Sequence, residues 1–475
     1  MSDTKEPLMG GDESKSKSTT YEAIQALFFM VAFSTGLGIL GSTDSLTKFG
    51  IDSLLADFLV MIFVTITYTI NHHMIAYCCR ESSEKYNFAE YLEDKFGKAA
   101  AMVYDILMTI HNFILLAYIQ RYLGGYVFGS PTAAGQDPDK AYYFLALINI
   151  PLIFISLTSD FKKIKWFCIV LLLAWIYIFT GGLVETVATC TSDEYWSSIP
   201  VLSVAGFDSW LIKLVGLQLY FSSAFQSLPF IYKEVKRSTI MTTVINASAL
   251  ASLLVYFTVY VFYTFENITI TVEDTTTNAG NSTSTATNST VSAVSFVVEN
   301  SIQCGKDQDY ITLKAYGLAL AGACAVIVNV IPARFALAQF LAGNDADTMK
   351  KASGSDKLLS VILIMGSIVL SLFMFNLKVW EVIICIGVVL TSILGIIVPP
   401  VALLFSKEYS HLLKIGKNHE EGHDGKEKKK REFIKTDDQK KKIFIFSYLV
   451  WIAFVAIVGI VAGFFIMIDG SKLDK

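Results

Sequence analysis

Apolar stretches long enough to cross a bilayer recur along this 475-residue chain, and they restrict its fold more than any other feature. They fall at about residues 22–42, 51–78, 99–128, 141–159, 164–188, 211–232, 242–264, 311–341, 357–376, 379–405 and 442–468, which makes about eleven spans. A segment in hydrocarbon has no water to satisfy its peptide groups, so each run must close its own hydrogen bonds and is expected as a helix. With 53% hydrophobic and only 17% charged residues, the composition is that of a protein dissolved in lipid. The fold class expected is all-α and integral to the membrane, and the localisation is that of a multi-pass membrane protein.

Charge in the connections orients the spans. Lys162, Lys163 and Lys165 follow the fourth, and Lys233, Lys236 and Arg237 follow the sixth. Lys350, Lys351 and Lys357 lie between the eighth and ninth, and the richest basic run, 426–442, precedes the last. All of these fall on one side only when the N-terminus is cytosolic and the C-terminus is extracellular or luminal. The expected organisation is a disordered cytosolic tail over 1–20, a ten-helix core over 21–405, a basic cytosolic loop over 406–441, and an eleventh helix with an outside C-terminus over 442–475. The leader lacks the basic-then-apolar order of a signal peptide. The run at 426–442 is first a topology determinant and also a candidate contact for anionic lipid headgroups.

The opposite side offers an independent check. A Thr/Ser/Asn-rich loop at about 265–310 carries glycosylation sequons at Asn267, Asn281 and Asn288, in the compartment where glycosylation is possible. Another match, at Asn246, falls inside the seventh span and is expected to be chance. Cys78, Cys79, Cys168, Cys324 and Cys385 sit within or at the cytosolic ends of spans, where free thiols pack as small apolar groups. Cys190 and Cys304 alone lie on the oxidising side, and a disulfide between them is expected.

The first and sixth spans are interrupted. Gly36, Gly38 and Gly41 spell a dinucleotide-like G-x-G-x-x-G, but no strand precedes them, so a bent helix at bilayer depth is the better reading. In the sixth span, Ser222, Ser223, Gln226 and Ser227 cluster inside an apolar segment, and Pro229 removes a backbone donor just after them. Interrupted helices five spans apart point to an inverted-repeat transporter with its site near the midplane. There is no P-loop, phosphate-transfer motif or triad, so an enzyme or a primary pump is not expected. Nor is a metal, a cofactor or a nucleic-acid partner, and a monomer is expected.

These residues resemble the amino acid/auxin permeases, a family that includes the sodium-coupled neutral amino acid transporters and the vacuolar amino acid transporters. Gly36-Leu-Gly-Ile-Leu-Gly41, with Gly50 nine residues on, is similar to the family's first-helix motif. Phe225-Gln-Ser-Leu-Pro-Phe-Ile-Tyr-Lys-Glu234 resembles its sixth-helix motif, and Pro332-Ala-Arg334 its eighth-helix Pro-x-Arg. The resemblance implies a leucine-transporter-like fold, with two inverted five-helix repeats plus an eleventh helix. It also implies secondary active transport of amino acids by alternating access, in the plasma membrane or an endolysosomal or vacuolar membrane.

An amino acid brings a carboxylate and an ammonium that must leave water together. Thr35, Gly36, Leu37 and Gly38 are expected to meet the substrate backbone through amides and carbonyls of the unwound first helix. Ser222, Ser223, Phe225 and Gln226 are expected to line the side-chain pocket, and the lack of charge among them points to neutral amino acids. The serines have a plainer alternative, which is to satisfy nearby carbonyls.

Sodium-coupled members of the family hold their ion with an Asn and a Thr at the positions of Ala32 and Ala325 here. The loss of both oxygens argues against that sodium site and makes a proton the expected coupling ion. Asp44 and His111 are the proton-coupling candidates, against the alternatives of a helix cap for Asp44 and a neutral core residue for His111. Asp105 is expected to snorkel or pair near the cytosolic interface, and His72-His73 to pack rather than bind metal, because adjacent helical residues diverge by about 100°. An amino-acid sensor that signals without substantial flux and a sodium-coupled symporter remain open.

Overall fold

The computed structural model describes residues 22–35, 54–81, 88–128, 138–158, 166–177, 180, 209–222, 224–235, 240–258, 308–342, 355–405 and 447–466. Each of the eleven apolar stretches contains a helix there. In chain order these are α1 (Glu22–Thr35), α2 (Leu54–Glu81), α3 (Phe88–Phe96), α4 (Lys98–Phe128), α5 (Pro138–Thr158), α6 (Trp166–Tyr177) and α7 (Ser209–Phe221). They continue as α8 (Leu228–Val235), α9 (Ile240–Thr258), α10 (Gln308–Ala342), α11 (Ser355–Phe373), α12 (Leu377–Thr391), α13 (Val398–Leu404) and α14 (Ser447–Ile466). No strand occurs among the described residues.

Six of the helical runs are long and apolar enough to cross a membrane, and the protein is a multi-pass membrane protein. Large apolar side chains such as Leu59, Leu147, Phe154, Leu250 and Ile457 stay exposed on the outer faces, as a lipid-facing surface requires. Polar residues such as Asn71, His111, Gln120 and Asn149 are turned inward.

The inward groups sort the spans into two sets. In the first, α4, α5, α10 and α11 each pack against the other three. Gln120 and Asn149 exchange amide hydrogen bonds of 2.7 and 2.8 Å between α4 and α5. Arg334 on α10 donates from Nη1 to Ser156 O on α5 and to Ser360 Oγ on α11, both at 3.4 Å. The backbones approach closely, since a Cβ placed on Gly322 of α10 would lie 2.6 Å from a methyl of Leu123 on α4.

The second set is α1, α2, α9 and the interrupted pair α7–α8. α2 packs against α7 and α8, Ser34 of α1 shares a hydrogen bond with Ser252 of α9, and His73 of α2 bonds Asn246 of α9 at 2.9 Å. Asn246, the sequon match inside the seventh span, thus lies in a helix and is engaged within the bundle.

The first set holds spans three, four, eight and nine; the second holds one, two, six and seven. Each set therefore pairs span n with span n+5, the arrangement of two five-helix repeats. Five is an odd number, so the second half enters from the opposite side of the membrane, and the repeats are inverted. The tenth span, α12 through α13, lies against α7 and α2, and α14 adds an eleventh helix through Tyr448 on Asn71 at 3.2 Å and Trp451 on Phe63.

Asp105 departs from expectation. It is buried, with neither carboxylate oxygen bonded among the described residues. Snorkelling needs a long stem, and an aspartate has a single methylene. The short helix α3 also covers this end of α4, with Phe88, Ala89, Tyr91 and Leu92 buried and the Phe88 ring edge-on to Tyr104.

Candidate functional site

The sixth span is broken where its serines cluster. The helical bonding of α7 runs out at Ser222, whose amide donates to Gln218 O at 3.0 Å, and helix resumes with α8 at Leu228. Between them Ser227 N reaches back to Ala224 O at 3.1 Å, and Ile231 N donates to Ser227 O at 3.1 Å to begin the next helix. Pro229 stands in the first turn of α8, where its missing N–H costs nothing. A strand of backbone is thereby opened inside the protein, and its carbonyls need partners.

Tyrosines from neighbouring helices supply some of them. The Tyr68 hydroxyl, on α2, donates to Leu219 O at the end of α7. The Tyr256 hydroxyl, on α9, donates to Ser34 O at the end of α1. The two contacts correspond under the five-span pairing: the second span caps the sixth, and the seventh caps the first.

Between these caps lies a cavity of about 30 Å³, lined from α1 by Met30 and Ser34, from the sixth span by Ser222, and otherwise by α2 and α9. It has room for a water or two and not for an amino acid.

Beyond the break, Phe225 is buried and wedged against the tenth span. A Cβ on Gly395 would lie 2.8 Å from its ring. Gly395 belongs to a π-helical turn, Ser392–Ile397, that separates α12 from α13; such turns widen a helix locally. Thr391, at the start of that turn, donates from Oγ1 to Gly387 O at 3.0 Å. Its proton is thus committed, so at 2.8 Å His111 Nε2 is the donor to Thr391 Oγ1. The His111 ring also stands 5.4 Å from the rings of both Tyr220 and Phe225, one on each side of the break. Gln226 is 3% exposed with neither amide atom bonded among the described residues.

Of the residues expected to contact substrate, Ser222 lines the cavity, while Thr35, Phe225 and Gln226 are buried and do not line it. Thr35 Oγ1 donates to Val31 O at 2.6 Å, and Ser227 Oγ to Ala224 O at 2.9 Å; both serve the backbone in the plainer way. Gly36, Leu37, Gly38, Ser223, Asp44, Cys190, Cys304, Asn267, Asn281, Asn288 and the basic run 426–442 lie outside the described residues. Cys78, Cys79, Cys168, Cys324 and Cys385 are free thiols. His72 and His73 diverge as expected, His72 stacking on Tyr68 and His73 turning to Asn246.

Sequence reasoning passed over Ser248, Ser252 and Tyr256, which recur every four residues on one face of the seventh span. It also passed over Thr65, Tyr68 and Thr69 on the second, which share a helical face with His72. That periodicity was the available signal.

No family model and no curated protein matches the chain. Among solved structures it is similar to a substrate-bound Na+-coupled sialic acid symporter, with 12% identity and a TM-score of 0.49 over 94% of this chain and 96% of that one. It is also similar to a manganese transporter of Eremococcus coleocola bound to an aromatic bis-isothiourea compound, with 12% identity and a TM-score of 0.46 over 98% of this chain and 96% of that one. The grouping of spans described above stands on this chain's own contacts.

Proposed function

We propose that the protein is a secondary active transporter of neutral amino acids that works by alternating access and is driven by a proton gradient. The observation that carries this reading is the interruption of the sixth span inside a bundle of spans one, two, six and seven, beside the end of α1. Broken helices at such a place expose the amides and carbonyls that a zwitterion needs once it has left water. The motif resemblance of Gly36 to Gly41, Phe225 to Glu234 and Pro332 to Arg334 supports amino acids as the cargo. The uncharged set Thr35, Gly36, Leu37, Gly38, Ser222, Ser223, Phe225 and Gln226 supports neutral ones.

Ala32 and Ala325, both buried, place no side-chain oxygen where the family's sodium ligands stand, which favours the proton. The reading includes a cytosolic N-terminus, an outside loop glycosylated at Asn267, Asn281 and Asn288, and a Cys190–Cys304 disulfide.

Uptake of radiolabelled L-alanine, L-glutamine and L-leucine into proteoliposomes, under an imposed proton gradient, a sodium gradient or neither, tests it. Accumulation with the proton gradient is the expected result. Sodium drive overturns the coupling, and saturable binding without flux under any gradient overturns transport in favour of a sensor.

A further inference from the structure

The cavity among α1, α2, α7 and α9 has a polarity that can be worked out hydrogen by hydrogen. Tyr68 and Tyr256 give their hydroxyl protons to Leu219 O and Ser34 O. Ser248 Oγ donates to Ile245 O at 2.9 Å, and Thr69 Oγ1 to Thr65 O at 2.7 Å. Ser34 Oγ lies 3.2 Å from Val31 O, which accepts from it, and the remaining Ser34–Ser252 contact uses one proton between two oxygens. With their protons spent on carbonyls, these hydroxyls turn lone pairs toward the space between them. No carboxylate lines it among the described residues. The walls therefore suit a positive charge or a hydrogen-bond donor, and they repel an anion.

One lining group answers that description. His72 is 6% exposed, lines the cavity, and its Nε2 is buried without a hydrogen-bond partner among the described residues. The space of about 30 Å³ holds the water that would join Nε2 to the hydroxyl oxygens. The cavity also touches the break of the sixth span through Ser222 and the last described turn of α1 through Ser34. A charge placed here pulls on the backbone of both.

We propose that this cavity is the coupling-ion site, and that its ion is a proton carried on Nε2 of His72 and hydrogen-bonded through a trapped water to the Ser34, Ser222 and Ser252 hydroxyl oxygens. The inference rests on the transport reading above and places the proton on His72 rather than on either sequence candidate, Asp44 or His111. A proton arriving on the cavity water forms an N–H bond at Nε2 of the neutral imidazole and leaves the water neutral. When the bundle opens to the other side, the same bond breaks and the proton returns to water. The titratable groups that face His72 are Tyr68 and His73 from its own helix and Tyr256 from α9; α1 and α7 contribute only neutral side chains to the lining. No carboxylate among the described residues lines the cavity to hold the imidazolium, so it forms and discharges within a cycle rather than persisting. His111, by contrast, donates to Thr391 and is enclosed by the Tyr220 and Phe225 rings.

The test compares the full-length protein with His72→Gln in proteoliposomes, using labelled L-alanine, L-glutamine and L-leucine. One proton carried per cycle gives the native protein about ten-fold accumulation for each pH unit of gradient. His72→Gln is expected to bring the accumulation ratio to unity, while exchange of labelled for unlabelled substrate at equal pH falls much less. A variant that concentrates substrate as the native protein does overturns the proposal and leaves the transport reading standing. Sodium-driven accumulation in the native protein overturns it as well. Where the native protein neither accumulates nor exchanges, the transport reading fails by itself. His72 is then judged by ¹⁵N-histidine NMR in nanodiscs, its signal assigned by loss in His72→Gln or by elimination against variants of the other histidines. An imidazole that gains its second N–H between about pH 8 and about pH 5 supports the site, and one that stays neutral throughout overturns it.

Discussion

Spans three, four, eight and nine and spans one, two, six and seven are built from similar apolar sequence, yet only in the second do polar side chains reach the backbone beside the sixth-span break. In the first set polar side chains join helix to helix: Gln120 with Asn149, and Arg334 with Ser156 and Ser360. In the second Tyr68 serves the carbonyl of Leu219 beside the sixth-span break, and Tyr256 that of Ser34 in the last described turn of α1. His72 Nε2 and the Gln226 amide there have no partner among the described residues. A side-chain bond that joins two helices in hydrocarbon resists rearrangement, because breaking it exposes a group that lipid cannot satisfy. Orphaned groups occur in both sets, Asp105 and Asn112 in the first among them, so the contrast lies in the tyrosine bonds to backbone beside the sixth-span break. On this ground the first set is expected to act as the frame and the second to move.

The comparison is broken most severely in the frame. Gly322→Val places branched carbon where a Cβ would already stand 2.6 Å from one Leu123 methyl and 2.8 Å from Cγ of the same side chain. Leu123 is itself buried and has no free volume to swing into. The cost expected is about 3 kcal/mol, with loss of folded yield, read by thermal unfolding of the detergent-solubilised protein. A variant that unfolds at the native temperature removes the rigid frame from the account.

Next in size is Asn149→Leu, which strands the buried Gln120 amide and is expected to cost about 1 to 2 kcal/mol. Adding Gln120→Leu removes the orphaned partner, so the double variant is expected to recover most of the loss. A double variant less stable than either single one shows that this pair does more than bridge α4 and α5.

Tyr256→Phe sharpens the other side of the contrast. It frees Ser34 O at the end of α1 at a stability cost of about 1 kcal/mol, within the range of a frame lesion. The bundle reading expects a separate effect, about ten-fold on uptake rate, since 1.4 kcal/mol in the balance between inward and outward states has that size. Tyr68→Phe, its counterpart on Leu219 O, is expected to shift the same balance. Uptake that tracks stability in both variants, as in the frame, erases the distinction between the two sets.

Much of this architecture was legible in the sequence, for a physical reason. Spanning helices announce themselves by length and hydropathy, and the break after Phe221 by three serines and a proline within eight residues, Ser222–Pro229. Interactions between distant segments leave no such local mark. Ser34 meets Ser252 across 218 positions, and His111 meets Thr391 across 280. The four-residue spacing of Ser248, Ser252 and Tyr256 was visible, but a polar face on a span looks the same whether it meets a cavity or a neighbouring carbonyl. The burial of Asp105 was hidden because the connection after the second span contains an amphipathic helix, α3, that closes over it.

The smallest effect expected tests whether the serines at the break bind substrate or serve the backbone. Ser227 Oγ donates to Ala224 O at 2.9 Å, and the Ser227 amide donates to the same oxygen at 3.1 Å. Removing the hydroxyl leaves that carbonyl with its amide partner, so Ser227→Ala is expected to cost less than about 0.5 kcal/mol and to change uptake less than about two-fold. Ser222 differs: its hydroxyl donates to Gln218 Oε1 at 3.3 Å and it lines the cavity, so Ser222→Ala is expected to weaken uptake more than Ser227→Ala does. The pair is read by uptake kinetics at matched amounts of reconstituted protein. A Ser227→Ala variant that loses uptake while Ser222→Ala keeps it means that the substrate meets the break on the α8 side, next to Gln226, and that the cavity between the tyrosine caps lies off the transport path.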